Sequence, residues 1–258
     1  MLVTDQVSKQ FGGMTVLNRV SISIQPGEIV GLVGPNGSGK TTLLNCLSGF
    51  LSPDEGTIRF GDIRLDRLPA WKISRLGVRR TFQLPSQPMK MTVLEAMLCG
   101  ASLPVGASMF GLFRPKHRQA EEREAIRRAH ELLDMLKLSH LTHQPAGQLS
   151  GGQQKLLSIG TALMEKPSVL LLDEPTAGVN PTLRLGLVEH LKEVHKSGTS
   201  LLIIEHDMDF ITRLCHRVYV LDRGEVIANC HPSELKDNPR VVEAYLGAPK
   251  TTAVTGEE

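Results

Sequence analysis

The residues Gly34-Pro-Asn-Gly-Ser-Gly-Lys-Thr-Thr42 fit the spacing G-x-x-x-x-G-K-[ST], which suits phosphate binding. Gly34, Gly37 and Gly39 let successive backbone N–H groups converge on anionic oxygens, and Pro35, Asn36 and Ser38 complete the loop. Lys40 is spaced to reach the β- and γ-phosphates of a nucleotide. The hydroxyl of Thr41, next to Thr42, is spaced to face Mg²⁺. A second anion-friendly stretch is Leu149-Ser-Gly-Gly-Gln-Gln154, where Ser150 is suited to cap a helix. Gly151 and Gly152, with Gln153 after them, leave the first-turn N–H groups uncovered. Two acids complete the set. Asp173 ends an apolar run, where a carboxylate can hold a divalent metal through water, and Glu174 can orient and polarise an attacking water. Two phosphate-binding helix starts leave two arrangements open: two nucleotides per chain, or one nucleotide shared across a dimer.

These groups need elements to place them. Glu28 to Gly34 reads as a short β-branched strand, followed by the Gly-rich loop and a helix with Leu43, Leu44 and Leu47 on one face. Ser168–Glu174 and Thr199–His206 are continuous apolar runs of strand length, separated by a helical pattern from about Pro181 to Lys196. Apolar runs without alternation predict parallel strands covered on both faces. A hairpin is expected in VYVLDRGEVIA, and the N-terminal segment, with SISI at Ser21–Ile24 and TIRFGD from Thr57, reads as antiparallel β. The middle of the chain is helical. From Gln119 to Lys137 the spacing puts Ile126, Ala129, Leu132, Leu133 and Leu136 on one face, with Glu124–Arg128 and Arg127–Glu131 paired on the other. Leu103 to Pro115 is expected to be a loop. The fold class that follows is α/β: a P-loop NTPase core with a parallel sheet, an N-terminal antiparallel β subdomain and an inserted helical subdomain spanning about 90–165. One domain over 1–247 is expected, with 248–258 as a disordered tail.

Composition narrows the function classes. Lys plus Arg number 29 against 27 Asp plus Glu in 258 residues, so the net charge of +2 makes no field that demands a polyanion, and no nucleic-acid partner is expected. No run approaches the roughly 18 apolar residues of a spanning helix, and MLVTDQVSKQFGG lacks a leader pattern, so a soluble chain is expected. Cys46, Cys99, Cys215 and Cys230 stand apart without a C-x-x-C pair, which predicts reduced, mostly buried thiols. His140 and His143 have no third ligand nearby, so no metal site is expected there.

The P-loop, LSGGQQ, LLLDEP and the histidine of IIEHD, in this order, resemble the nucleotide-binding subunit of ATP-binding cassette transporters over about Leu2–Gly247. The resemblance implies ATP and Mg²⁺ as cofactors and adds three residues. The family's glutamine that senses the γ-phosphate and faces the metal matches Gln83 in RTFQ, its switch histidine matches His206, and its adenine-stacking aromatic matches Phe11. It further implies a second ATP-binding subunit, identical or similar, facing head to tail. Ser150 and Gly152 of one copy then close over the nucleotide of the other. Separate membrane-spanning permease subunits, an indirectly coupled substrate-binding protein and a place at the cytoplasmic face of the cell membrane are implied as well. Asn180 departs from the pattern, standing where the family usually has an interface Asp. Soluble cassette ATPases acting on DNA or ribosomes are the rival class. The first kind carries a very long coiled coil between P-loop and signature, and the second carries two cassettes; this chain has neither. RTFQ, MTVLEAM and NPRVVEAYLG are similar to ATPase subunits of branched-chain amino-acid importers, a group that includes urea and amide systems. The permease contact is expected between Gln83 and Met97, with Met89 and Met91 as adaptable apolar groups.

Overall fold

A computed structural model describes residues 1–81, 90–101 and 115–246. The chain opens with β1 (Leu2–Phe11) and β2 (Met14–Ile24), continues through β3 (Ile29–Val33) and α1 (Lys40–Leu47), and returns through β4 (Glu55–Phe60) and β5 (Ile63–Arg64). Next come α2 (Ala70–Arg75), β6 (Val78–Arg80), α3 (Val93–Leu98), α4 (Pro115–Met135) and α5 (Gly151–Leu163). The remainder alternates: β7 (Val169–Asp173), α6 (Pro181–Lys196), β8 (Ser200–Ile204), α7 (Met208–Leu214), β9 (Arg217–Asp222), β10 (Glu225–Cys230) and α8 (Pro239–Leu246).

Two sheets result. An antiparallel one runs in the order β2-β1-β4-β5, and a larger one runs β10-β9-β3-β8-β7-β6, parallel except for the β9–β10 hairpin. The continuous apolar runs are explained by burial on both sides. Val30, Leu32, Leu171, Leu202 and Ile204 face the antiparallel sheet and α1, while Ile29, Val33, Leu170, Leu172, Leu201 and Ile203 face α3 to α7. In the hairpin, Arg223 (φ 46°) and Gly224 (φ 81°) both occupy left-handed backbone, the condition for a tight two-residue turn that follows the strand twist.

The helical middle differs in detail from the sequence expectation. Pro115 opens α4 rather than closing a loop, consistent with the ease with which proline takes the first helical turn. The face turned inward carries Ala125, Ala129, Leu132, Leu133 and Leu136, whereas Ile126 is 36% exposed. The expected Glu124–Arg128 pair is also displaced: Glu124 binds Arg127 at 2.8 Å, and Arg127 also reaches Glu131. Of the four thiols, Cys46 and Cys215 are buried, Cys230 is half-buried and Cys99 is exposed, so burial covers fewer of them than expected. The expected tail at 248–258 and the loop from Leu103 to 114 lie outside the described residues.

Candidate active site

Parallel strands release their ends at one edge, and that edge collects the chemistry. β3 leads into the loop 34–39, β7 ends on Asp173 with Glu174 following, and β8 is followed by Glu205 and His206. The register is tight there, with Leu32 opposite Ile204 and Ile204 opposite Asp173.

The loop conformation depends on its glycines. Gly34 has φ 149°, and a Cβ there would stand 2.0 Å from the Leu221 carbonyl oxygen; Gly39 has φ 104°, and its Cβ would meet Val16 O at 2.8 Å. The loop is braced from below by the hairpin turn, because Gly224 N donates to Ser38 O at 3.0 Å and Asn18 N donates to Gly224 O. α1 begins at Lys40 and its cap residue, Gly39, has no side chain, so its first-turn amides have no side-chain cap. The Ser38 hydroxyl is buried without a hydrogen-bond partner. A cradle that excludes side chains, lies at a helix start and holds an unpartnered hydroxyl fits a polyphosphate. Lys40 donates from Nζ to the carbonyls of Gly34 (2.8 Å) and Pro35 (2.9 Å). Burial lowers its pKa, and nearby Glu174 and Asp173 oppose that shift. Thr41 is exposed and Thr42 half-buried in the first turn of α1.

Asp173 is buried, and its Oδ2 accepts from Arg80 Nη2 at 2.9 Å, with both side chains under a tenth exposed. Arg80 also donates to Asn45 Oδ1 at 2.5 Å, on α1, which ties the end of β6 to the phosphate-loop helix. A hard-oxygen pair of Thr41 hydroxyl and Asp173 carboxylate suits Mg²⁺, which takes few protein ligands and keeps water. Removing the guanidinium leaves a buried carboxylate without its cation. Arg80→Met is therefore expected to cost about 3–5 kcal/mol of unfolding free energy, measured by urea denaturation, and a loss below about 1 kcal/mol would show that water replaces the pair.

Glu174 sits in the left-handed region at φ 47°, which a glutamate adopts only when its surroundings hold it there. Its amide donates to Ile204 O at 2.9 Å, and its carbonyl accepts from Lys155 Nζ at 2.6 Å and Ala177 N at 3.1 Å. Glu205 is wholly buried, accepting from Thr176 N at 2.7 Å and His206 N at 3.2 Å. The His206 ring is largely exposed, with Nδ1 3.8 Å from Glu205 Oε2. Ser150 caps α5 reciprocally with Gln153: Gln153 N donates to the serine hydroxyl and Ser150 N donates to Gln153 Oε1 at 2.9 Å. Gly151 is exposed at the start of that helix, and Gly152 is buried. Phe11 is 46% exposed at the end of β1, with the Lys9 ammonium 5.5 Å from its ring centre, so it is free of the core and able to stack.

The sheet edge thus gathers Gly34–Thr42, Asp173, Glu174 and His206, and α5 reaches it through Lys155, which donates to the Glu174 carbonyl. The buried residues of α1 pack on one face of the large sheet and those of α5 on the other. Gln83 and Met89 lie outside the described residues, although β6, which precedes them, ends at the same edge. Within the expected permease contact, Thr92 caps α3 and Met91 is 39% exposed, but Met97 is fully buried and so is unavailable for docking. Among the described residues no group of three or more histidine, cysteine and acidic side chains is set to hold a metal.

Sequence reasoning passed over Arg80, Lys155 and Glu205. Lys155 carried a readable signal: it falls three residues after Gly152 and four before Ile159, on the stripe that α5 turns inward. Arg80 and Glu205 carried none, since each looks like a solvated charge beside a strand end.

Comparison with known proteins bears on these features together. The ABC transporter family model matches residues 17–177. A probable branched-chain amino acid transport ATP-binding protein, LivG of Archaeoglobus fulgidus, is 43% identical over 248 residues, covering 96% of each chain. The structure of the ADP conformation of MJ1267, an ATP-binding cassette of an ABC transporter, superposes with a TM-score of 0.84 at 40% identity, covering 96% of this chain and 98% of that one. A dimeric post-hydrolysis state of the cassette MJ0796 bound to ADP and Pi gives a TM-score of 0.72 at 27% identity, covering 90% and 99% of the two chains.

Proposed function

The chain belongs to the ABC transporter family, and from that premise we propose that it is the ATP-hydrolysing motor of an importer for branched-chain amino acids. The solute is inferred from the names of the relatives; the urea and amide systems of the same group gain no separate support. The observation that carries the mechanism is the placement of α1 and α5 on opposite faces of one sheet. A nucleotide seated at α1 is then completed by the α5 start of a second copy, which supports head-to-tail pairing, with Ser150, Gly151, Gly152 and Gln153 offered across the interface.

In this reading each residue has a task. The loop amides of 34–39 and the Lys40 ammonium neutralise phosphate charge, and Phe11 stacks on the base. Thr41, Gln83 and Asp173 are the candidates to hold Mg²⁺, which supplies charge neutralisation on the phosphate oxygens. Glu174 takes up the proton of the attacking water, and His206, exposed at the end of β8, meets the terminal phosphate. Catalysis here is positioning plus electrostatics, since the protein forms no bond to the phosphoryl group. Closing a dimer from 1:99 to 99:1 needs about 5.5 kcal/mol of preference for the closed state, and a phosphate contacted from both copies is a suitable source. Asn180 keeps the hydrogen-bonding shape at the interface without the charge.

No described helix is long and apolar enough to cross a membrane, so attachment to the cytoplasmic face falls to separate membrane-spanning subunits. The test is co-expression with the permease subunits of a branched-chain amino-acid importer. Co-purification, and ATP-dependent leucine uptake in vesicles that is lost without this chain, are expected. ATP turnover with no association with any permease would favour a soluble cassette ATPase instead.

A further inference from the structure

Lys155 has an unusual position for a lysine. It lies on the inward stripe of α5, half-buried, and its ammonium donates to a main-chain carbonyl, that of Glu174, at 2.6 Å. That carbonyl belongs to a residue in left-handed backbone, at φ 47°. The amide side of Glu174 is fixed to β8 through Ile204 O, and the following loop is fixed by Thr176 N donating to Glu205. The carbonyl side is held by Ala177 N, within the same turn, and by Lys155, which reaches it from α5. Burial lowers the Lys155 pKa, opposed by Glu205, Glu174 and Asp173, the three carboxylates its ammonium faces. An apolar side chain would avoid the desolvation at this point of α5, so a role in fold stability alone does not explain the charge.

We propose that Lys155 is a positioning residue that holds Glu174 in its left-handed conformation and so links the helix bearing Ser150–Gln153 to the carboxylate of the same chain. The link is directional in consequence. α5 offers its start to the partner's nucleotide, and Lys155, about one turn further on, grips the residue that acts on the chain's own nucleotide. Displacement of α5 when the dimer closes therefore passes to Glu174 through one hydrogen bond. Gly151 lies close to the same loop, where a Cβ would be 3.8 Å from Gly178 O, so helix and loop are already in contact. This inference rests on the reading of Glu174 as the residue that activates water.

The test uses the full chain with Lys155→Met and Lys155→Arg. Steady-state ATP hydrolysis gives kcat and KM, and titration with a fluorescent ATP analogue gives affinity. Lys155→Met is expected to lower kcat about 30-fold, as small misplacements of catalytic groups do, with nucleotide affinity and melting temperature nearly unchanged. Lys155→Arg, which keeps a cation able to donate to the carbonyl, is expected to stay within about threefold of the parent. In a Glu174→Gln background, Lys155→Met should lower the residual rate no further, because the positioned group is gone. Unchanged kcat in Lys155→Met overturns the proposal, as do equal losses of affinity, folding and kcat in the Met and Arg variants. Should Lys155→Met fail to fold, Lys155→Gln, of similar polarity and shorter reach, replaces it under the same criteria. A Glu174→Gln variant with normal turnover would instead remove the underlying reading, whatever Lys155 does.

Discussion

Glu174→Gln is expected to bind Mg–ATP with near-parental affinity and to hydrolyse it about 10³-fold more slowly. The magnitude is that of a lost general base. The substitution keeps size and hydrogen-bonding shape but removes the group that accepts the water's proton. The main-chain bonds that define the position, to Ile204, Lys155 and Ala177, do not involve the side chain and should survive. Binding and hydrolysis are thereby separated: the phosphate loop and Asp173 remain, so ATP should accumulate unhydrolysed and hold two copies together. Analogue titration together with single-turnover hydrolysis checks this. Parental turnover would mean that another group activates the water.

Ser150→Arg should be equally damaging for a different reason. Ser150 is exposed at the start of α5, and its hydroxyl takes part in the cap with Gln153, so its loss costs about 1 kcal/mol of helix stability and leaves the chain folded. The guanidinium, however, fills the space in front of the helix start where a phosphate of the partner's nucleotide is to lie. Hydrolysis is expected to fall below about one hundredth of the parent, a loss of the size seen when transition-state donors are removed. The variant's own loop 34–39 is untouched, so nucleotide affinity of the isolated chain, measured by titration, should remain. Loss of that affinity would place α5 in the same chain's nucleotide site.

Much of this was legible in residue order. Runs such as Val169–Leu172 and Leu201–Ile204 are apolar at every position, and only strands covered on both faces tolerate that, so the layered parallel sheet followed from them. The Gly-rich loop was legible because its spacing leaves few other physical uses. The phase of α4 was not. Ile126 outranks Ala125 in hydrophobicity, but the small side chain takes the close-packed position, which hydrophobicity alone does not register. The conformation of Glu174 was hidden because nothing in a glutamate announces positive φ, unlike a glycine. The Arg80–Asp173 bond was hidden because its partners are 93 positions apart and only the register of β6 on β7 brings them together, and the Lys155–Glu174 bond because it depends on how α5 packs beside the end of β7.

The central claim is that one ATP is shared by two copies of the cassette, and mixed dimers test it most directly. Lys40→Ala chains and Ser150→Arg chains, each inactive alone, are given different affinity tags, mixed with Mg–ATP, and the doubly tagged dimers isolated. In such a dimer one site joins the intact phosphate loop of the Ser150→Arg chain to the intact α5 start of the Lys40→Ala chain. The account predicts hydrolysis clearly above that of either variant alone. Isolated mixed dimers whose activity does not exceed that of the two inactive parents would contradict it.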